Sequence, residues 1–257
     1  LNHFTSKVLR EIKKLGANYI WYTGVIEHAT KTDYSKYGIR KDNEYVVKGE
    51  AGSPYAIKDY YDIDPDLAED PSTRMQEFEA LVTRTHEVGL KVVLDFVPNH
   101  VARQYHSDTA PEGVDDLGAH DNKEMHFSPS NNFYYIPRQA FTPQFYIGEG
   151  EDRYFEYPAK ATGNDCFGAF PGKYDWYETV KLNYGVDYTG GGRCHFDPIP
   201  DTWYKMLDIL LFWCGKGVDA FRCDMAHMVP VEFWNWAISK VKGNYPSVIF
   251  IAEIYDQ

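Results

Sequence analysis

Gly217-Val218-Asp219-Ala220-Phe221-Arg222-Cys223-Asp224 is the stretch that decides the fold. An apolar strand runs into an arginine and an aspartate two residues apart. Side chains at i and i+2 of a strand point to the same face, so Arg222 and Asp224 stand side by side at its carboxyl end. Val248-Ile249-Phe250-Ile251-Ala252 ends in the same manner, in Glu253. Lys91-Val92-Val93-Leu94-Asp95-Phe96-Val97-Pro98-Asn99-His100 ends in a polar cluster. Acidic groups at the carboxyl ends of successive buried strands are the raw material of a (β/α) barrel active site. Paired carboxylates there point to glycoside chemistry.

The segments between these strands repeat one pattern: an amphipathic helix, a glycine, then a strand. Thr5 to Leu15 precedes Gly16 and Asn18 to Tyr22; Ser72 to Val88 precedes Gly89 and Lys91 to Phe96. Thr202 to Cys214 precedes Gly215 and Val218 to Cys223; Val231 to Val241 precedes Gly243 and Val248 to Ala252. Thr73-x-x-Gln76 has the form of a capping box, and Gly89 suits the left-handed position after a helix. The strands read as apolar runs covered on both faces, and repeated α-Gly-β units predict a parallel sheet or barrel. Two stretches break the rhythm. Thr23 to Pro71 is a long polar connection carrying Asp59-Tyr60-Tyr61-Asp62-Ile63-Asp64-Pro65. Val101 to Pro200 is rich in Gly, Pro, Asn, His and aromatics, and a structureless loop of that size is rare. It reads as an inserted subdomain on the catalytic face. The expected division is 1–100 barrel, 101–199 insert and 200–257 barrel.

Composition narrows the function. The 257 residues carry a formal net charge of −12, which argues against a nucleic-acid partner, since that needs clustered Lys and Arg. Aromatic residues make up 16% of the chain, enough for a large core or for stacking surfaces that suit sugars. Cys166, Cys194, Cys214 and Cys223 have no zinc-ligand spacing. Cys214 and Cys223 read as core thiols, whereas a Cys166–Cys194 disulfide is one arrangement open to the loop-rich region. No apolar run is long enough to span a membrane. Leu1 to Arg10 is not a signal peptide, and a secreted or periplasmic location is favoured over a cytoplasmic one.

The segments Asp95-Phe96-Val97-Pro98-Asn99-His100, Arg222-Cys223-Asp224 and Glu253-Ile254-Tyr255-Asp256 resemble, in order and spacing, three signature regions of the α-amylase family, glycoside hydrolase family 13. Asn18-Tyr19-Ile20-Trp21, Tyr55 with the Asp59–Pro65 segment, and Leu182-Asn183-Tyr184 also resemble stretches of that family. The resemblance implies a (β/α)8 TIM barrel with domain B inserted after strand three. Numbered that way, the chain corresponds to strands two to five, and a third catalytic aspartate is expected beyond this sequence.

The resemblance also implies roles. Asp224 is expected to be the nucleophile, kept ionised by Arg222 on the same face. Glu253, after an apolar run, is expected to be a general acid/base with a raised pKa, about 5–5.5 Å from Asp224 as a retaining mechanism requires. His100 and Tyr55 are expected to contact the sugar, with Asp95 bracing Arg222. His227 stands where many members carry Lys-His, and is expected to contact sugar. Asn99 resembles a calcium ligand, though the chemistry itself requires no cofactor. The expected partner is an α-glucan, maltooligosaccharide or cyclodextrin. The expected activity is retaining hydrolysis of α-1,4 bonds, with transglycosylation or non-catalytic glucan binding as alternatives.

Overall fold

The computed structural model describes residues 1–255; Asp256 of the fifth-strand motif lies outside the described residues. In chain order, α1 (Ser6–Lys14) leads to β1 (Tyr19–Tyr22), β2 (Ile26–His28) and β3 (Ile57–Ile63). Then come α2 (Arg74–Glu87), β4 (Lys91–Phe96) and β5 (His100–Ala102). The insert contributes the short strands β6 (Tyr135–Ile136), β7 (Ala159–Lys160), β8 (Thr179–Lys181), β9 (Val186–Asp187) and β10 (Arg193–Cys194). The chain closes with α3 (Asp201–Gly215), β11 (Ala220–Cys223), α4 (Val231–Asn244) and β12 (Ile249–Ala252).

The main sheet has the order β1-β4-β11-β12, and every pairing in it is parallel. The register sets Arg222 opposite Asp95 and Phe221 opposite Leu94. One face of the sheet is apolar. Val92, Leu94, Phe96, Phe221 and Cys223 pack there with Phe78, Leu81 and Val82 of α2, Trp203, Met206, Leu210 and Trp213 of α3, and Phe233, Ala237 and Val241 of α4. Burial of apolar area contributes ~25 cal/mol per Å², so these helix faces hold the layers together. The other face carries Asp95 and Arg222. Val93 and Ala220 are buried on that face too, so the central strands are apolar on both faces until the charged pair near their carboxyl ends. β12 is half exposed.

Several local expectations change. Thr73 makes no side-chain cap at the start of α2. Asp70 caps the preceding turn, and the Glu77 carboxylate accepts from the Glu69 and Asp70 amides at 3.0 and 2.9 Å. The capping box is thus replaced by a longer-range bracket. Gly16 and Gly89 take the left-handed conformation, at φ 92° and 77°, but in the third unit Gly217 does so at φ 90° while Gly215 ends α3. Gly243 lies within α4. All four cysteines are free thiols, and Cys214 and Cys223 are buried as expected.

The segment 101–199 returns to the turn after β4 through β5 and β8, which pair antiparallel with His100 opposite Lys181. A small apolar cluster of Ile136, Phe141, Ile147, Tyr154, Ala159 and Ala169 lies beneath it, joined by Val46 from the long second connection. Arg103, on the same connection as β5, pairs with buried Glu156 at 2.6 Å. Next to it, β2 and β3 pair antiparallel and bury Glu27, Asp59 and Asp62 together. Asp62 is held by Arg74, and Asp59 accepts from the Tyr61 and Asp108 amides. Neither carboxyl oxygen of Glu27 has a hydrogen-bond partner.

Candidate active site

The carboxyl ends of β4, β11 and β12 meet at one guanidinium. Arg222 Nη1 donates to Asp95 Oδ1 at 3.2 Å and to Asp224 Oδ1 at 2.8 Å. Its Nη2 is ion-paired with Glu253 Oε1. Arg222 also lies against two aromatic rings, 5.2 Å from the centroid of Trp21 and 5.5 Å from that of Tyr55. The backbone extends the ladder to position the acids: the Asp224 amide donates to Phe96 O at 2.8 Å and the Glu253 amide to Cys223 O at 3.0 Å. Met225, directly after Asp224, adopts a left-handed backbone at φ 48°, a conformation that costs a non-glycine residue roughly 1–2 kcal/mol. Its amide donates to Glu253 Oε2 at 3.0 Å. A cavity of about 300 Å³ opens over this cluster, lined also by Tyr55, His100, Trp176 and Glu178.

The charges are distributed differently from the expectation. Burial pushes Asp224 up to about 7 against the pull of Arg222, and the Glu253 charge and a hydrogen bond with that carboxyl add to the rise. At Glu253, burial is outweighed by the Met225 amide, Arg222, Tyr255 and Asp224, and its pKa is lowered. Glu253 is the more acidic member of the pair, because the Met225 amide, Arg222 and Tyr255 all favour its carboxylate. Asp95 accepts from Trp21 Nε1 at 3.1 Å as well as from Arg222.

The turn after β4 is held from three directions. The Tyr60 hydroxyl bonds Val97 O, the Tyr184 hydroxyl bonds Pro98 O at 2.6 Å, and the Leu182 amide bonds Asn99 O at 3.0 Å. His100 is consequently placed with its ring edge-on to Trp176, centroids 5.4 Å apart, within the cavity lining. Burial, reinforced by the Lys181 charge, lowers its pKa to about 3, so the ring is neutral. Asn99 lies beneath it and not in the cavity lining; its Oδ1 accepts from Lys181 Nζ at 2.8 Å.

His227 is separated from this group. It is exposed on the turn after Asp224 and lines a neighbouring, largely apolar cavity of about 780 Å³ with Tyr188, Trp234 and Phe250. The residues missed by sequence reading are Trp21, Lys48, Trp176, Glu178 and Lys181. Trp21 closes a strand already recognised, so its place was available from register. The others come from the long connection and the insert, where no periodicity marks which side chains face the cavity.

A parallel sheet with helices packed on one face and carboxylates at the carboxyl ends of its strands defines part of a (β/α)8 barrel with its site at the usual end. The alpha-amylase catalytic domain family matches residues 4–157, and the chain belongs to that family. Over 257 aligned residues it is 24% identical to the alpha-1,4-glucan:maltose-1-phosphate maltosyltransferase of Picrophilus torridus, covering 97% of this chain and 30% of that protein. The corresponding maltosyltransferase of Cereibacter sphaeroides is 38% identical over 91 residues, 33% of this chain and 15% of that protein. Among solved structures, an alpha-amylase from Lactobacillus plantarum superposes with a TM-score of 0.57 at 27% identity, covering 96% of this chain and 40% of that one. A cyclic alpha-maltosyl-(1→6)-maltose hydrolase from Arthrobacter globiformis, at 20% identity and a TM-score of 0.56, shares the fold. The chain thus spans 30% or less of these curated relatives and about two fifths of these structures.

Proposed function

We propose that this chain carries the catalytic carboxylates of an enzyme that processes α-1,4-glucans through a covalent glycosyl intermediate. The observation that carries the reading is the single guanidinium of Arg222 gathering Asp95, Asp224 and Glu253 at adjacent strand ends. Asp224 is the nucleophile and Glu253 the general acid/base. Without substrate, Asp224 is the more readily protonated member of the pair. A sugar entering between them draws Glu253 away from Arg222 and the Met225 amide. Glu253 then loses the partners that favour its charged form, and the proton passes to it. Asp224 keeps Arg222 and becomes the ionised nucleophile. Its carboxylate oxygen bonds the anomeric carbon as the glycosidic bond breaks and Glu253 protonates the leaving oxygen. Glu253 next deprotonates the acceptor hydroxyl, which attacks the anomeric carbon and frees Asp224. The neutral ring of His100 and the faces of Tyr55 and Trp176 bind the sugar.

The acceptor separates transfer from hydrolysis. The maltosyltransferase names of the sequence relatives favour a sugar hydroxyl, and the alpha-amylase likeness supports water as the second reading. The test is product analysis after incubation with maltoheptaose, β-cyclodextrin, and maltose 1-phosphate with a maltooligosaccharide acceptor. Longer chains from any donor support transfer, and reducing ends with no elongation support hydrolysis. Glucan binding with neither product replaces both readings by a non-catalytic role.

A further inference from the structure

The family resemblance implies calcium at Asn99, and the side chains there do not fit one. Lys181 is buried, with 2% of its side chain exposed, and its ammonium lies 2.8 Å from Asn99 Oδ1 and 2.6 Å from Asp165 Oδ1. It also sits over the ring of Tyr188, 5.2 Å from the centroid. A calcium ion would need those same two oxygens at about 2.3–2.6 Å. A second positive charge so close to a buried ammonium would be strongly repelled.

The ammonium also decides which way the Asn99 amide points. Its oxygen must face Lys181, so its nitrogen faces the other partners. Nδ2 donates to Gly163 O at 2.8 Å and lies 3.1 Å from His100 Nδ1. An amide nitrogen only donates, so His100 Nδ1 must accept, and the single proton of the neutral ring is on Nε2. The Lys181–Asn99 and Asn99–Gly163 contacts cross from the turn after β4 to the segment 101–199, and Asp165 holds the ammonium from within that segment.

We propose that Lys181 is the resident cation of this junction: it takes the place of a metal ion in tying the insert to the barrel, and through Asn99 it fixes His100 as the Nε2–H tautomer. Lys181 is therefore a positioning residue. The cation assignment does not depend on the glucan reading. Only the use of the Nε2–H toward a sugar rests on that reading.

The test uses the full chain with ¹⁵N-labelled histidine, the His100 signals being assigned against H100Q. In the wild type, His100 is expected to show a bare Nδ1 and a protonated Nε2. Its unfolding midpoint is expected to be the same in excess calcium as in excess chelator. K181M, which keeps the stem and removes the charge, should lower the midpoint and mix the two tautomers; K181R should restore a single Nε2–H form. Should K181M fail to fold, D165N loosens the ammonium at a half-exposed side chain and the same signals are read. A wild-type midpoint raised by calcium over chelator overturns the cation assignment. His100 signals unchanged in the folded variant overturn the positioning role. Neither reading uses turnover, so failure of the glucan hypothesis registers separately, in its own product analysis.

Discussion

At the scale of single residues, charge placement matters more than residue type. Asp224 and Glu253 were recognisable because each ends an apolar run, and a carboxylate there must face a site or a partner. Their relative acidity was not recognisable. It depends on Arg222 and the Met225 amide, whose positions are set by packing. Asp224→Asn in the complete enzyme removes the nucleophile while keeping the hydrogen bond to Arg222. Turnover is expected to fall by several orders of magnitude with maltooligosaccharide binding retained, as steady-state kinetics and calorimetric titration would show. Near-wild-type turnover would remove Asp224 from its role. Glu27 offers a stability test. Burial, with Asp59 and Asp62 beside it, raises its pKa from 4.5 to about 9. The folded state thus holds a proton that the unfolded chain releases. The stability tied to that proton is complete below about 4.5 and is lost as pH rises through about 9. Glu27→Gln should flatten the decline in urea midpoint between pH 6 and 9, on the order of the shift's own window. A decline as steep as the wild type's would show that Glu27 is not its source.

At the scale of elements, the parallel sheet and its helices were legible. Four α-Gly-β units carry their own periodicity, and a parallel sheet is a consequence of that repeat. The insert was legible only as an interruption. Its short strands are held by contacts distant in sequence, such as β5 with β8, which no local pattern encodes. The loop before Tyr55 shows how tightly such a segment can be specified. Gly52 sits at φ 78°, and a Cβ there would overlap the backbone carbonyl of Ala29. Gly52→Ala is expected to cost well over ~1 kcal/mol, since both left-handed strain and a backbone clash oppose it. A lowered urea midpoint together with weaker maltoheptaose binding is the expected result. An unchanged midpoint would mean that the loop is free to move away.

At the scale of the whole molecule, a few long-range contacts join the layers. Trp213 of α3 is fully buried, packs edge-on to Phe78 of α2 at 5.5 Å, and donates through Nε1 to Tyr60 O at 2.8 Å. Trp213→Ala should destabilise the fold by ~3–5 kcal/mol through lost packing and a residual cavity. Chemical denaturation would measure it, and a loss under ~1 kcal/mol would show that the core collapses into the space.

By itself the sequence determined the parallel α/β units and the strand ends that bear Asp95, Arg222, Asp224 and Glu253. Periodicity and turn chemistry are local properties that any reader of the chain can extract. The tertiary structure alone decided that Asp224 and Glu253 meet at Arg222, that His227 faces a different cavity, and that the Lys181 ammonium lies against Asn99. Those outcomes depend on which distant side chains share a buried space, where desolvation and a few ångströms set the energy of every charge.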